Sequence, residues 1–497
     1  MARHSPELTY LAGDHHVHSV YSPDAKYTVA QLAAAGAEHG LAWMVFAEHG
    51  TPGWADVGAR VQLREIRTAR RRHRGLLLFQ GLEWNVPGGE HATVLALPGP
   101  RTTDLLTRFA RSYDRALLAR DSPVRPELAV TALERLGVQG DVLVLLNHPM
   151  RHGANPPHRI RDWFDAAPDT VVGWEGAPGA QGAAIPGWRA PDSVRGEYEN
   201  GPSARSWPGY PPEAYVTHGG FDWTTATVGG LWDALLSEGR RVGVTANSDV
   251  HGVVRDHWHH GEFPPGRAFD DRGRLPDPVR AEGIEPGGSD LWPGQFSRTH
   301  VGVTRPGYRA LMDGLRLGRV WVDHGWLVDG LDVRLHHDST GDSVTLGGRL
   351  TVRRGDRLTL EVTVIHGTGP RLAHLDVIQG VLGAPGTDRD RWRAPRTRVT
   401  HTFEPGRAAR AAGSWTLRVP FGPVEEPTYL RLRGSDGNRH GPGPFGAAVD
   451  PHGPLPHRPG DGDPWQDTWC YTNPLFVHLA GECAPGEAAH PTGPRGR

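Results

Sequence analysis

Three histidines crowd into Gly13-Asp14-His15-His16-Val17-His18-Ser19, with Ser22 and Asp24 just behind them. In an extended segment side chains alternate faces, so His16 and His18 point one way while His15 and Val17 point the other. Two imidazoles on one strand face make a clip for a divalent metal ion. The same residue types recur wherever an apolar run ends or begins: His49, Glu83, His91, His148, and then Asp249 with His251. Imidazole and carboxylate without thiolate suit zinc, manganese or iron(II) and argue against a structural cysteine-zinc site. His16, His18, Asp24, His49, Glu83, His91, His148, Asp249 and His251 are too many side chains for one ion, so the set implies two or three.

The elements that must carry these residues follow a repeating unit. Thr28-Val-Ala-Gln31 reads as a capping box opening an Ala-rich helix that stops at Gly40. The run Ala42–Ala47 then ends on Glu48-His49. A helix over about residues 60–74, very basic on its outer face, leads to Leu76–Phe79 and Gly81-Leu-Glu83. His91–Leu97 is a further strand, and helices are expected over about 104–120 and 126–136. Val142–Leu146 runs into Asn147-His148-Pro149, and Thr170–Trp174 into Glu175, which either accepts a hydrogen bond from a neighbouring imidazole or caps the next turn. A helix over about 227–239 precedes Arg241–Thr245 and Asn247-Ser248-Asp249-Val250-His251. Helices alternating with apolar strands that deliver polar groups at their carboxyl ends predict an α/β barrel with its site at the mouth.

Two stretches, about 177–221 and 252–299, are rich in Gly, Pro and Trp and read as long loops at that mouth. Trp188, Trp207, Trp223, Trp258 and Trp292 either line an aromatic cleft or pin these loops to the scaffold. A last helix and strand close the first domain at about residue 330. Beyond it, short alternating strands at about 331–335, 358–364, 373–378, 415–419, 429–433 and 475–478 predict an antiparallel β-sandwich domain over 331–482. Residues 434–467 read as a long loop, its Asp436-Gly-Asn-Arg-His440 either a turn or a reach toward the mouth, and 483–497 as a disordered tail.

Net charge is −2 over 497 residues, with both signs interspersed, so no nucleic-acid-binding stripe is expected. Lys26 is the only lysine. No apolar run approaches the roughly 18 residues of a membrane span. The histidine cluster begins too early to leave room for a leader, so a cytoplasmic chain is expected, or a secreted one if a leader is missing. Cys470 and Cys483 read as free thiols.

The order H-x-H, E-H after an apolar strand, G-x-E, N-H-P and S-D-x-H resembles the PHP (polymerase and histidinol phosphatase) superfamily across about the first 330 residues. The resemblance implies a distorted (β/α)7 barrel with a trinuclear site. His16, His18, Glu83 and Asp249 would hold one ion. Glu83, His91 and His148 would hold the second with Glu83 bridging, and Asp24, His49 and His251 the third. A barrel followed by a β-rich domain that carries Trp469-Cys-Tyr-Thr-Asn-Pro474 is similar to the CehA/McbA branch of metallohydrolases. Glu48 departs from the commoner superfamily Asp, and either carboxylate could orient an imidazole.

The chemistry expected is metal-dependent hydrolysis of a small ester, most simply a phosphomonoester, with aryl carbamate or carboxylic ester as the alternative on the same site. Glu83, Asp249 and His251 are the catalytic candidates. Arg151, Arg255 and Arg298 are the candidates for binding an anionic substrate. A metal-stabilised binding protein without catalysis is the reading from another class. Composition and spacing are silent on oligomeric state.

Overall fold

Strands β1 (Thr9–Val17), β2 (Trp43–His49), β3 (Leu77–Asn85), β4 (His91–Ala96), β5 (Val142–Leu146), β6 (Val171–Ala177) and β7 (Gly243–Ala246) lie side by side in that order. They are seen in a computed structural model that describes residues 5–118, 125–183, 195–198, 201–366, 369, 371–406, 413–437 and 467–481. Trp188, Cys483, residues 438–466 of the long loop and the tail 483–497 lie outside the described residues. Strands β2, β3, β5 and β6 are almost wholly buried, as apolar strands covered on both faces must be.

The sheet is mixed where sequence periodicity predicts a parallel one. β4 runs antiparallel to both β3 and β5, because residues 86–90 form a tight turn with no crossover helix. A two-stranded ribbon, β8 (Trp258–His259) with β9 (Val279–Arg280), interrupts the second mouth loop. β10 (Ser297–Val303) then pairs antiparallel with β1, and β11 (Val320–His324) antiparallel with β10. The sheet curls until β7 returns against β10 and β11. No ladder joins them; side chains do. Thr299 Oγ1 bridges the N–H and C=O of Ala246 at 2.8 and 2.9 Å, and Asn473 Oδ1 accepts from Val244 N at 2.9 Å.

Helix α1 (Val29–Glu38) opens with the expected capping box, Thr28 and Gln31 each closing on the other's backbone N–H. α2 (Ala59–Arg72) buries Gln62, Ile66 and Ala69 and turns its arginines outward. The expected helices near 104–120, 126–136 and 227–239 are Thr102–Tyr113, Glu127–Gly137 and the shorter Leu231–Ser237. Among the described residues no helix is long and apolar enough to cross a membrane.

The remaining strands are β12 (Gly330–His337), β13 (Ser343–Thr345), β14 (Arg349–Val352), β15 (Leu358–Ile365), β16 (His374–Val381), β17 (Arg398–Phe403), β18 (Ser414–Phe421), β19 (Thr428–Ser435), β20 (Trp469–Thr472) and β21 (Leu475–Leu479). β13-β12-β15-β18 form a separate antiparallel sheet with strictly alternating burial in β12 and β15. Its apolar face, including Leu335, Leu360 and Val362, packs on Leu350, Leu375, Leu432 and Val477 of the other strands, as in a sandwich. Those other strands are a continuation of the first sheet, since β20 pairs with β11.

The two halves also share buried charge. Arg431 on β19 forks onto Asp233 of the helix Leu231–Ser237, Nε to Oδ1 at 2.8 Å and Nη2 to Oδ2 at 2.7 Å, with both residues fully buried. The Arg431 guanidinium lies 4.5 Å over the Trp232 ring. Cys470 is a buried thiol whose pKa burial pushes up.

Candidate metal centre

β1 reaches the mouth with its side chains sorted as alternation requires. Gly13 is needed there, because a Cβ would stand 2.2 Å from the Trp43 ring. His15 faces away and ties β1 to β7, with Nε2 2.7 Å from Thr245 Oγ1 and its N–H donating to Asn247 Oδ1 at 3.1 Å. His16 and His18 face the cleft, their Nε2 atoms 2.9 Å apart.

Two imidazole nitrogens this close are explained by what holds the other side of each ring. His16 Nδ1 lies 3.0 Å from Glu175 Oε1, so the proton belongs on Nδ1. His18 Nδ1 lies 2.8 Å from Ser22 Oγ, and that hydroxyl donates onward to Glu48 Oε2 at 2.7 Å, which fixes the same tautomer. His251 Nδ1 donates to the Asp249 carbonyl at 2.8 Å. In all three rings Nε2 is the nitrogen aimed into the site, the one whose lone pair a metal would take. Nitrogens that converge at hydrogen-bond distance call for a cation between them, a metal ion or, with none bound, the proton that Asp249, Glu83 and Glu175 favour on His16 against the pull of burial.

Glu83, at the end of β3, stands at the centre. Oε1 is 3.2 Å from His16 Nε2, 2.9 Å from His91 Nδ1 and 3.2 Å from His148 Nε2. Oε2 is 2.9 Å from His49 Nδ1 and 3.4 Å from His18 Nε2. Burial works against this charge, yet His91, His16 and His49 outweigh it and hold the carboxyl well below its ordinary range. Asp249 Oδ1 lies 3.1 Å from His16 Nε2 and 3.2 Å from His18 Nε2 without a hydrogen-bond partner. His148 Nδ1 is buried and equally without one, and burial pushes that imidazole down to about 3, so it stays neutral. Asp24 completes the set, with Oδ2 3.1 Å from His49 Nε2 and Oδ1 3.7 Å from His251 Nε2.

Ligand atoms within 4.8 Å of one another fall into three groups, His16 with His18 and Asp249, Glu83 with His91 and His148, and His18 with His49 and His251. Together with the orphaned Asp249 Oδ1, the tautomers make the donor set self-consistent for cations. These residues fit a metal site.

No family model matches the sequence, and no curated protein matches it either. Among solved structures, the chain is similar to a two-domain protein containing a predicted PHP-like metal-dependent phosphoesterase from Bacteroides vulgatus ATCC 8482. Identity is 14%, coverage 87% of this chain and 94% of that one, and the TM-score 0.31. A second match is PsfC from Pseudomonas syringae PB-5123, at 14% identity, 55% and 93% coverage and a TM-score of 0.25.

Backbone strain marks the same place. His148 and Asp249 adopt φ of 27° and 44°, the left-handed region that costs a non-glycine residue energy and persists where surroundings enforce it. Enforcement is visible. The His148 N–H donates to Glu175 Oε2 at 2.7 Å and the Asp249 N–H to the His16 carbonyl at 2.9 Å. Glu175, fully buried, therefore acts as an acceptor, joining His16, His148 and Asn247 from three separate strand ends. Glu175→Ala is expected to weaken metal affinity about 10- to 100-fold, the usual loss when a group orienting ligands is removed, and metal titration of the purified variant checks it. Glu48 works at one remove, accepting from Ser19, Ser22 and Gln62, and orients His18 through Ser22.

Of the arginine candidates, Arg151 alone lines the cleft, a cavity of about 450 Å³ that also exposes Asp24, His49, His91, Tyr198 and His251. Its Nε is buried without a hydrogen-bond partner, and its Nη2 lies 3.8 Å from Glu90 Oε2. Arg298 is a correction: it is buried in β10 and forks onto Asp323 at 3.0 and 2.7 Å, because the β10–β11 register sets the two opposite each other. Arg255 is exposed and stands outside the cleft lining. The tryptophans pin loops: Trp207 packs on Tyr210, Trp223 on Trp392 and Trp292 on Tyr27, and no described tryptophan lines the cleft. Sequence reasoning missed Asp290, which receives the N–H groups of Ala180, His251 and Gly252 and shapes the cleft wall. Its loop carries no periodic signal that could have singled it out.

Proposed function

We propose that this chain is a metal-dependent hydrolase of small phosphomonoesters. The observation that carries the reading is Glu83, one carboxylate within 3.4 Å of five imidazoles drawn from three strands, β1, β2 and β4, and from just past the ends of β1 and β5. In this reading His16, His18, Glu83 and Asp249 hold one ion, Glu83, His91 and His148 a second, and Asp24, His49 and His251 a third. Bound there, zinc, manganese or iron would supply Lewis-acid polarisation of the substrate oxygen and a water of lowered pKa. The protein's own part is positioning. Arg151, the arginine in the cleft lining, is the cation that would meet the anionic end of the substrate, and charge-assisted bonds of that kind are the strong ones. Asp249 and His251, partly open to the cleft, stand where a proton could pass to the leaving oxygen.

The distorted (β/α)7 PHP barrel over 1–330, the β domain over 331–482 and the CehA/McbA-like branch belong to the same proposal. Aryl carbamates and carboxylic esters remain its alternative on the same metals. The cleft favours phosphate over these, having an arginine in its lining and no described tryptophan. The test is elemental analysis of protein purified without chelators, followed by assay on p-nitrophenyl phosphate and on a neutral aryl acetate. Arg151→Met is expected to raise KM for the phosphate about 10- to 100-fold, matching the loss of about 1.5–3 kcal/mol for a hydrogen bond to a charged group, with metal content unchanged. Faster turnover of the neutral ester, or a phosphate KM indifferent to Arg151→Met, would reverse the preference. Less than one ion per chain, not restored by added metal, would remove the hydrolase and leave a binding protein.

A further inference from the structure

The chain's single lysine is buried beside the metal centre. Of 54 Lys and Arg residues only Lys26 is a lysine, and it is 4% exposed. Its Nζ sits 2.7 Å from Glu285 Oε2 and 3.2 Å from Asp256 Oδ2, two carboxylates of the loop that follows His251. A compact ammonium with three donors fits between two carboxylates where a planar guanidinium needs more room. Tyr27 extends the grip: its hydroxyl donates to Asp256 Oδ2 at 2.6 Å and accepts from Val253 N at 2.8 Å, while the Lys26 N–H donates to the His251 carbonyl at 3.2 Å.

This knot joins the two segments that meet at one corner of the site. Asp24 lies two residues before Lys26, and its side chain is 57% exposed, the most open of the candidate ligands. His251 lies where the loop departs. The two approach only to 3.7 Å, both beside the His49 ring. Neither segment is a strand at this point. Their relative position rests on the Lys26 knot, on Asp290, which holds the His251 and Gly252 N–H groups, and on the backbone bridge between Val250 and Val17. His16 and Glu83, by contrast, stand on strands, His148 hangs from Glu175, and His18 is held by Glu48 through Ser22.

We infer that Lys26 is a positioning residue for the Asp24, His49 and His251 locus, and that it sets occupancy of that locus independently of the other two. The inference rests on the metal-site reading above, and the experiment separates the two. Manganese alone is titrated into apo full-length protein, and bound ions per chain are counted after gel filtration, for wild type, Lys26→Met, the milder partner change Glu285→Gln, and Arg161→Met. The last breaks a buried pair with Glu238 away from the cleft and reports what destabilisation by itself does.

Wild type is expected to hold three ions and Lys26→Met two, with the weakest manganese site loosened at least tenfold in Glu285→Gln and untouched in Arg161→Met. Three ions in both wild type and Lys26→Met would overturn the role of Lys26 while leaving the metal centre standing. Loss of every ion in Lys26→Met alongside a two-ion Glu285→Gln still supports the role, the first having failed to fold. Equal losses in Glu285→Gln and Arg161→Met would overturn it as a general stability effect. A wild type that holds two ions or fewer defeats the trinuclear reading itself, and the inference with it.

Discussion

Glu83→Gln is expected to lower turnover by about 10³-fold and to leave the purified protein short of metal. The substitution keeps the shape of the side chain but removes the negative charge that five imidazoles surround and turns one oxygen into an amide donor facing lone pairs. Removing one partner from a buried set of charges costs about 3–5 kcal/mol, and about 4 kcal/mol corresponds to roughly three decades in rate. Elemental analysis and turnover on the same preparation check it. Normal metal content with the loss confined to turnover would make Glu83 a participant in chemistry alone, and normal values for both would make it a hydrogen-bond hub.

The largest effect on stability is expected far from the cleft, at Asp233→Asn. The carboxylate accepts from Nε and Nη2 of Arg431, the Gly229 N–H at 2.7 Å and the Tyr429 hydroxyl at 3.0 Å, with no solvent access. Removing one partner of a buried pair leaves the other charge stranded, at a cost of about 3–5 kcal/mol. Arg431 is poorly placed to bear it, since its Nη1 already lacks a hydrogen bond. Urea unfolding should show the midpoint fall, and the double change Asp233→Asn with Arg431→Met should recover part of the loss. Metal content below the transition should not move. A midpoint unchanged in the single variant would mean that the guanidinium finds water on relaxation.

Much of the centre was legible because alternation and strand ends are local properties. His16 and His18 share a face by the pleat alone, and apolar runs ending in Glu83, His148 or Asp249 declare which end of the sheet is the mouth. What escaped depends on long-range register. Arg298 looked available until β11 placed Asp323 opposite it. Asp290 and Lys26 act through loops whose pairing no window of sequence contains. β4 read as one more strand, and its reversed direction followed from a turn too short for a crossover. In the β-rich part the longer alternating strands were visible, while β13, β14, β17 and β20 were too short or too polar to stand out. Glu175 was read with two roles open, and only the positions of His16 and His148 decide between them.

The pairing of β11 with β20, and the Asn473 side chain that completes the seam at β7, put an order on how the molecule is made. When the ribosome has finished β11, one edge of the sheet that carries the histidines is still bare, and its covering strand lies in residues 469–472. At about 5–20 residues per second, that wait is on the order of ten to thirty seconds. During it the nascent chain presents an unpaired edge of Val320-Trp-Val-Asp-His324, a template for mispairing with a neighbouring chain. The histidine-bearing sheet thus completes its edge only with the last part of its own translation, and slowing synthesis between β11 and β20 should lower the yield of folded chains more than slowing it anywhere upstream.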